Sequence, residues 1–403
     1  MSTSPAPSPP LQRLDSLDAY RGFVMLLMMA EVLRLRQVAL ALPESKLWEF
    51  LSFHQTHVAW SGCSLHDLIQ PSFSFLVGVA LPFSILSRQA KGQSFTRMLL
   101  HAIWRAVLLT FLGVFLRSAG LPHTNFTFID TLSQIGMGYV FLFLLGFVKV
   151  RWQVLAAAVI VVGYWGAFAL YPVPGEDFDY AAVGVGADWK HHYTGFAAHW
   201  NKNSNLGWKV DTWFLNLFPR VDGKPYTHMD GYATLNFIPT LATMILGLLA
   251  GGWLRLETTK PRKLLYLVLA GGASLGAGWA LDHFGICPSV KRIWTPAWVL
   301  FSGGWCFFLL AGFYALADGL GWRALFYPLI VIGANSIAAY CMAHWWSESI
   351  ARGFQTHLAL WLGVDCFKLA GEAYEPLVRG SAILLVYWLI LLWMYRRRIF
   401  VRI

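Results

Sequence analysis

The chain has 403 residues, of which 57% are hydrophobic and only 13% charged, and its formal net charge is +10. Soluble globular domains carry roughly 25% charged residues, so the composition excludes an ordinary soluble protein and indicates one whose surface is covered largely by lipid. The positive charge does not indicate nucleic-acid binding, because most basic residues lie in short loops between apolar segments, where they orient a membrane protein.

The chain begins with a Pro- and Ser-rich stretch, MSTSPAPSPPLQR. This stretch lacks the apolar core of a cleavable signal peptide, and its composition is typical of disorder. We therefore expect residues 1–13 to form a disordered cytoplasmic tail and residues 14–403 to form a single transmembrane domain.

Apolar segments recur along the rest of the chain, each close to the ~20 residues with which an α-helix crosses the hydrocarbon core. The sequence therefore predicts an all-α fold, a polytopic membrane bundle of about ten transmembrane helices. The segments cover residues 19–38, 68–86, 98–116, 127–147, 152–171, 235–254, 264–283, 297–317, 326–346 and 378–395.

The loops between these segments differ in charge. With the N-terminus in the cytoplasm, the inside loops hold most of the Lys and Arg residues near span ends, and the short outside loops hold chiefly Arg117, Lys291 and Arg292. Cytoplasmic loops of membrane proteins carry the excess of positive residues. The pattern therefore predicts that both termini are cytoplasmic.

Three of the predicted outside segments are long, at residues 39–67, 172–234 and 347–377. The middle one, between helices five and six, is polar, aromatic and rich in turn residues, and it is too long for a simple connection. We expect it to form an extracytoplasmic lid that faces a substrate. Its rings could stack on sugars, or they could form an aromatic belt at the membrane surface.

Titratable residues at or inside the predicted spans mark candidate sites. Asp18 and Arg21, three residues apart on helix one, suit either an interfacial ion pair or an anchor for an anionic cytoplasmic ligand. Glu31 lies in an apolar run and needs a polar cavity or a basic partner. Arg105 lies deeper than a loop arginine and needs a carboxylate or a phosphate.

Histidines stand at the predicted outer ends of two spans. The stretch HVAWSGCSLHDLIQPSF places His57, His66 and Asp67 before the second span, and His344 ends the ninth. If the ninth helix runs outward, His57 and His344 lie at the same depth and can share a cavity, as general base chemistry or heme ligation requires. Asp67 also suits a plain helix start. The five cysteines form no metal-binding spacing, so we expect no metal site.

Seven segments in a fixed order carry a resemblance to a known family. They are SLDAYRGFVMLLMM, HVAWSGCSLHDLIQPSFSFLVGVALPFS, WRAVLLTFLGV, DTLSQIGMGYVF, GYATLNFIPTLATMILGLLAG, VKRIWTPAWVLFSGG and FYPLIVIGANSIAAYCMAHW. From Leu14 to its end, the chain resembles the heparan-alpha-glucosaminide N-acetyltransferase family and its bacterial relatives, within the wider group of transmembrane acyltransferases.

The resemblance implies an activity. Such proteins take acetyl-CoA from the cytosol and deliver the acetyl group to an acceptor across the membrane. We therefore expect a membrane acetyltransferase in the bacterial inner (plasma) membrane, with acetyl-CoA as co-substrate and an (amino) sugar of an extracytoplasmic glycan as acceptor. We expect no nucleic-acid partner, and a homodimer is compatible with the sequence.

The resemblance also assigns catalytic residues. The family's catalytic histidine, in the motif H-x-x-W-x-G, matches His57, which is followed here by Trp60 and Gly62. The family's late histidine, which follows N-S-I, matches His344, and Asn335 matches the asparagine. We expect these three polar residues to be catalytic, with His57 acting either as a general base or as a nucleophile that carries the acetyl group.

Donor and acceptor sites follow from the implied chemistry. The phosphates of CoA cannot cross hydrocarbon, so we expect basic residues to hold them at the cytoplasmic mouth while the pantetheine arm extends through the bundle. The candidate CoA-binding residues are Arg21, Arg97, Arg105 and Lys291. The candidate acceptor-binding residues are Trp60, Asp67, Glu31 and Trp294, the last in the matching stretch VKRIWTPAWV.

The chain departs from the family at two positions, and two alternative functions stay open. The fourth span reads S-Q-I-G around Gln134, where the family often has Q-R, and Glu31 stands where an asparagine is expected. The chain could instead be a membrane transporter or flippase for a glycan or lipid intermediate, which would not need His57. It could also be a heme protein that uses His57 and His344.

Overall fold

A computed structural model describes residues 14–220, 223–362 and 365–401. The tail predicted at residues 1–13 lies outside the described residues. Within them the regular structure is entirely helical, with no β-strand, as the sequence predicts. The α-helices are α1 (Asp15–Met29), α2 (Leu35–Ala41), α3 (Lys46–His54), α4 (Ile69–Ala90), α5 (Phe95–Ser118), α6 (Thr131–Leu145), α7 (Val150–Leu170), α8 (Leu206–Phe214), α9 (Phe237–Arg255), α10 (Lys260–His283), α11 (Pro296–Phe313), α12 (Tyr327–Gly333), α13 (Ser336–Trp345), α14 (Ser347–Leu362) and α15 (Glu375–Arg396).

Seven helices of the described chain are long and apolar enough to cross a membrane. They are α4, α5, α7, α9, α10, α11 and α15, four of which are extended by adjoining helical turns. The chain is therefore a polytopic helical membrane protein. The other three predicted spans correspond to shorter helices, namely α1, α6 and the pair α12–α13, so the number of ten spans remains a prediction.

The ninth predicted span is broken into α12 and α13 around Asn335. The Asn335 backbone leaves the helical region (φ −130°, ψ 43°), and the residue stands at the N-terminus of α13. Irregular backbone at membrane depth is tolerated only where it is buried in protein or lines a cavity. Gly333, Ala334 and Ser336, which flank the break, do line a cavity.

Helices α4 and α9 form the largely buried centre of the bundle. Small residues let their backbones approach closely. A Cβ atom at Gly78 of α4 would overlap the carbonyl oxygen of Met244, and one at Gly247 of α9 would overlap that of Phe75. Close approach at small residues is a usual basis of helix association in lipid, so this pair provides a rigid frame for the site.

The bundle has two opposite faces, which are formed by different helix ends and loops. At one face, here called the terminal face, α1 begins, and Asp318 accepts hydrogen bonds from the Asp15 and Ser16 backbone N–H groups (3.2 and 3.1 Å). The last turn of α15 lies at the same face, where the Tyr395 ring packs 6.0 Å from that of Tyr327. The start of α4 and the loop between α10 and α11 lie at the opposite face, here called the histidine face.

The long segment 172–234 packs on helix ends at the histidine face. It forms short 3₁₀ turns and α8. Trp200 is buried in one cluster with Trp60 and Phe168, and its carbonyl oxygen accepts a hydrogen bond from Trp60 Nε1 (3.2 Å). All five cysteines of the chain are free, so hydrophobic packing and hydrogen bonds hold this segment in place.

Candidate active site

His57 lies in a cluster of charged residues at the histidine face. Its Nδ1 is 2.8 Å from Asp67 Oδ1 and 3.0 Å from Lys291 Nζ, and Lys291 Nζ is 3.1 Å from Asp67 Oδ1. The Asp67 and Lys291 side chains are 0% and 4% exposed, whereas that of His57 is 39% exposed. Two buried charged groups therefore hold one edge of the imidazole while the remainder of the ring is accessible.

The chain folds locally around the Asp67 carboxylate. Asp67 Oδ2 accepts hydrogen bonds from the Val58 N–H (3.2 Å), the Ser64 N–H (3.1 Å) and the Ser64 hydroxyl (2.9 Å). Asp67 itself belongs to the 3₁₀ turn His66–Leu68, which leads into α4. The intervening loop is thus tied to a single carboxylate, and this fixes the imidazole relative to α4.

Contacts between two loops bring Lys291 to the cluster. Ser61 and Val290 form an isolated antiparallel bridge, and the Gly62 N–H donates to the Ser289 carbonyl oxygen (3.4 Å). Gly62 has φ +113°, a backbone conformation that favours glycine because a Cβ atom would be strained there. The glycine of the H-x-x-W-x-G motif therefore serves the turn that joins the two loops.

The neighbours of His57 determine its protonation. An ionised Asp67 only accepts hydrogen bonds, so we assign the proton to Nδ1, from which it is donated to Asp67, and this leaves Nε2 unprotonated. Burial and the positive charge of Lys291 hold the pKa of His57 below its usual value, against the opposing effect of Asp67. A neutral imidazole with an accessible Nε2 is the form that a general base requires.

His66 and Glu31 form a second pair beside the first. The His66 ring is buried, lies 4.5 Å from the His57 ring between centroids, and places its Nε2 3.0 Å from Glu31 Oε1. Glu31 stands just after α1, in the turn Ala30–Leu33, and its side chain is 57% exposed. The carboxylate that the sequence predicts to need a basic partner therefore has one.

His344 lines the same cavity as His57, but its Nδ1 is engaged within its own helix. That atom lies 2.9 Å from the Tyr340 carbonyl oxygen, and the two rings stack with centroids 4.4 Å apart. With Nδ1–H donated to this carbonyl, Nε2 of the neutral ring can only accept a hydrogen bond. In this state His344 Nε2 can accept a hydrogen bond from an N–H or O–H group of a ligand. It cannot donate a hydrogen bond to an oxyanion.

Asn335 is not brought to His57. It precedes His344 by nine residues, or about 13 Å along a helix, so it lies towards the terminal face. There its carboxamide hydrogen-bonds to the backbone of Ile399 and Val401. The motif that contains both residues is continuous in sequence, but the length of α13 separates them in space.

The two tryptophans predicted to bind the acceptor are buried. Trp60 and Trp294 are 0% and 1% exposed, and neither lines the cavity next to His57. Trp60 donates to the Trp200 carbonyl oxygen, and Trp294 Nε1 donates to the Thr243 hydroxyl (3.2 Å). These rings therefore pack behind the site and support the loops that carry His57 and Lys291.

A cavity of about 700 Å³, here called the histidine cavity, lies beside the cluster. Its volume is within the roughly 300–1,000 Å³ that is usual for small-molecule sites. Met229 and Tyr232 of the long segment also line it, so the predicted lid contributes part of the wall. The charged and imidazole residues in the wall are Glu31, Arg34, His57, His66, Arg117, Asp130, Asp230, Lys291 and His344.

A second cavity, of about 680 Å³ and here called the arginine cavity, extends inward from the terminal face. Among the described residues that line this cavity, Asp18 supplies one carboxylate and four residues carry positive charge. Arg105 donates from Nη1 to the Tyr139 hydroxyl (3.1 Å), whereas its buried Nε has no partner among the described residues. The excess positive charge suits an anionic ligand. The cationic residues are Arg21, Arg88, Lys91 and Arg105.

The two cavities meet inside the bundle. Phe73 of α4, Thr131 of α6 and Tyr340 of α13 line both of them, and we call these three residues the junction. Thr131 is fixed there because Asp130 caps α6, accepting hydrogen bonds from the backbone N–H groups of the helix's first turn. The cationic cavity and the histidine-lined cavity therefore share part of one wall among the described residues.

Two of the predicted CoA-binding residues, Lys291 and Arg97, do not line the arginine cavity in the described structure. Lys291 is at His57 because the loop between α10 and α11 lies at the histidine face. Arg97 is exposed on the first turn of α5 and is absent from the described lining of the arginine cavity.

Sequence reasoning missed other residues of the arginine cavity. Arg88 and Lys91 line it, although their loop positions indicate only a role in orientation. His101 lines it too, and its spacing of four residues from Arg105 on α5 is the signal that could have revealed it. The departure at Gln134 is buried in α6, where its side-chain amide donates to the Phe128 carbonyl oxygen (2.6 Å).

Comparisons with known proteins find one family model and two curated relatives. A family model described as "Domain of unknown function (DUF5009)" matches residues 13–184. Proteins named heparan-alpha-glucosaminide N-acetyltransferase from Homo sapiens and Mus musculus are each 24% identical to this chain, over 365 and 367 residues. The alignments cover 81% of this chain and 52% and 53% of those proteins, so the chain spans about half the length of the curated relatives it matches.

The fold and the site define a class: a polytopic helical membrane protein with a His–Asp–Lys cluster beside one of two cavities that share part of their lining. Within this class, the chain is a distant relative of the heparan-alpha-glucosaminide N-acetyltransferases. The relationship confirms the resemblance inferred from the seven ordered segments.

Proposed function

We propose that the protein is a transmembrane acetyltransferase that moves an acetyl group from acetyl-CoA at the terminal face to an acceptor at the histidine face. One observation carries this proposal: a cationic cavity and a cavity lined by His57 open at opposite faces and share Phe73, Thr131 and Tyr340. The similarity to acetyltransferases supports the class of reaction. The charge of the loops supports a cytoplasmic terminal face, and we propose the bacterial inner membrane as the location.

The donor would occupy the arginine cavity. Guanidinium groups such as Arg21 and Arg105 bind phosphate oxygens through charge-assisted hydrogen bonds. Apolar residues of α4, including Leu76 and Val77, line the same cavity and suit the uncharged pantetheine arm. The phosphates then stay out of the hydrocarbon region while the thioester reaches the junction.

His57 would act on the acceptor as a general base. Its Nε2 takes the proton from the acceptor N–H or O–H group as that nitrogen or oxygen attacks the thioester carbonyl carbon. A carbon–nitrogen or carbon–oxygen bond forms, the carbon–sulfur bond breaks, and the proton passes from His57 to the leaving thiolate to give free CoA. Asp67, which accepts the Nδ1 proton of His57, stabilises the transient imidazolium.

Direct transfer fits the two cavities better than an acetylated histidine intermediate. Because the cavities meet at the junction, donor and acceptor can be bound together, and no covalent carrier is needed. Exchange of labelled CoA into acetyl-CoA in the absence of an acceptor would instead indicate that His57 Nε2 carries the acetyl group.

The proposed acceptor is an amino sugar of a glycan. Glu31, Asp230 and Tyr232 are among the residues that line the histidine cavity. Carboxylates bind ammonium and hydroxyl groups, and aromatic rings supply flat apolar surface. His344 Nε2 adds a hydrogen-bond acceptor in the same wall.

The test uses His57→Ala and labelled acetyl-CoA with a panel of amino sugars. We expect acetyl transfer to fall about 10²–10⁴-fold, with unchanged expression and unchanged acetyl-CoA binding. His283→Ala is the matched control, because this exposed histidine at the end of α10 lines neither cavity in the described structure. Full turnover in the His57 variant, or glycan movement that needs neither acetyl-CoA nor His57, would contradict the proposal and favour a transporter.

A further inference from the structure

The chain turns back into the bundle after α15. The helix ends at Arg396, and Arg398 adopts the left-handed region with φ +56°. A residue other than glycine is uncommon in that region and needs support from its surroundings. The reversal brings Phe400 and Val401 to the arginine cavity, which both of them line.

Asn335 supplies that support. Its Nδ2 donates to the Ile399 carbonyl oxygen (2.9 Å), and its Oδ1 accepts from the Val401 backbone N–H (3.0 Å). The residue is 0% exposed, so these bonds use a buried amide that would otherwise be costly. Gly333 and Ala334, just before Asn335, line the same cavity. One side chain therefore ties together two parts of the cavity wall.

Three consecutive arginines precede this part of the wall. Arg396, Arg397 and Arg398 are all exposed. In the described part of the chain, none of the three forms an ion pair with a carboxylate. Two residues of chain, at most about 7 Å, separate Arg398 from Phe400 in the cavity wall. The arginines therefore add positive charge at the edge of a cavity that is already cationic.

We propose that residues 396–401 form part of the donor site, where Arg397 and Arg398 bind phosphoryl groups of CoA and Asn335 positions the segment. This inference rests on the proposed function, because it takes acetyl-CoA as the donor. It makes Asn335 a positioning residue at the terminal face, in contrast to the catalytic role that the family resemblance implies. Arginine suits this task because its planar guanidinium pairs with two phosphate oxygens at once.

Membrane orientation and lipid binding are roles that exposed arginines also serve. Positive residues at a cytoplasmic helix end orient a membrane protein without binding any ligand. They also attract the phosphoryl groups of anionic lipids. Neither role makes the affinity for a soluble donor depend on the donor's own phosphates, and the experiment uses this difference.

The experiment compares donors with and without phosphates. Dissociation constants of acetyl-CoA and of S-acetylpantetheine, which lacks the nucleotide and its phosphates, are measured on purified protein in a neutral detergent. The variant is Arg397→Gln/Arg398→Gln, and the control is Arg151→Gln/Arg262→Gln, which removes two exposed arginines from the first turns of α7 and α10. We expect the cavity-edge variant to bind acetyl-CoA about tenfold or more weakly, with no change for S-acetylpantetheine and none in the control.

Each contrary result has a distinct meaning. Unchanged affinity for acetyl-CoA, or equal weakening for both donors, overturns the inference. An effect that appears only after anionic lipid is added assigns the arginines to lipid headgroups and overturns it as well. If the wild type transfers acetyl groups in a His57-dependent way but shows no such donor difference, only the inference fails. If the wild type does not bind acetyl-CoA, the proposed function fails with it.

Asn335→Leu tests the positioning role separately. The change removes both hydrogen bonds to the segment, so we expect the KM for acetyl-CoA to rise about tenfold while kcat stays within about twofold. A fall in kcat at unchanged KM would indicate a catalytic role for Asn335 and overturn the assignment.

Discussion

The reactivity of His57 depends on which of its ring nitrogens carries the proton. Asp67 and Lys291 both approach Nδ1, and Nε2 is a base only when the Nδ1 proton is donated to Asp67. In this arrangement Asp67 determines the tautomer, and Lys291 helps to hold the pKa low. Each of these effects can be tested by removing one charge.

Lys291→Met should change the pH dependence of acetyl transfer. The positive charge of Lys291 lowers the pKa of His57, so its removal raises that pKa, and the acid limb of kcat/KM moves to higher pH. Activity at about pH 6 should therefore fall by a larger factor than activity at about pH 8. A pH profile whose acid limb stays in place would show that Lys291 does not act on His57.

Asp67→Asn should lower kcat about 10²–10⁴-fold. An amide N–H directed at Nδ1 favours the tautomer that is protonated on Nε2, which cannot accept a proton. Raising the pH should not restore the rate, because Asp67 raises the pKa of His57 and its loss lowers that pKa further.

A double variant separates this effect from misfolding. The single change leaves Lys291 buried without its carboxylate, which costs about 3–5 kcal/mol of stability. Asp67→Asn/Lys291→Met removes both charges, so we expect its Tm to recover while kcat remains low. Recovered activity in the double variant would contradict the role given to Asp67.

The α4–α9 pair determines where the site can lie. Helix α4 follows the turn that holds Asp67, and it carries Phe73 into the junction. Its packing on α9 depends on backbone contact at Gly78 and Gly247, so a displacement there would alter both the cluster and the junction.

Gly247→Ala should lower the Tm and weaken donor binding. The new Cβ atom would overlap the Phe75 carbonyl oxygen, and relief of overpacking in a packed core costs about 1–3 kcal/mol. Gly252→Ala is the matched control on the same helix, because a Cβ atom there meets no other atom within 4 Å. Equal Tm values for the two variants, measured by thermal unfolding in detergent, would show that the close approach is not needed.

Much of the bundle could be predicted from sequence because apolar length is a local property. The span predicted at 264–283, for example, corresponds to α10, Lys260–His283. The break at Asn335 could not be predicted, since it depends on hydrogen bonds to residues 64 and 66 positions away. Local apolar content carries no information about such contacts.

The candidate site also contains residues that the sequence could predict and residues that it could not. His57 and Asp67 lie in one short stretch, and that stretch alone makes both of them candidates. Lys291 joins them from 224 residues beyond Asp67, through a bridge between two loops that no spacing rule reveals. The arginine cavity shows the same limit, because Arg88 and Lys91 are charges whose loop positions fit orientation equally well.

The orientation of the whole molecule can be tested with single cysteines in a variant that lacks the five native ones. Arg262 at the terminal face and Lys209 at the histidine face are both exposed. Arg262→Cys should react with a membrane-impermeant maleimide only after cells are permeabilised, whereas Lys209→Cys should react in spheroplasts. The reverse pattern would place the terminal face outside and contradict the proposed direction of transfer.

The most direct test of the whole account is acetyl transfer across a sealed membrane. Inverted vesicles that enclose an amino sugar acceptor receive labelled acetyl-CoA on the outside, which corresponds to the terminal face. We predict labelled product inside vesicles that carry the wild-type protein and about 10²–10⁴-fold slower formation in vesicles that carry His57→Ala. Product that forms only when donor and acceptor share one compartment, or that forms equally without the His57 imidazole, would contradict the account.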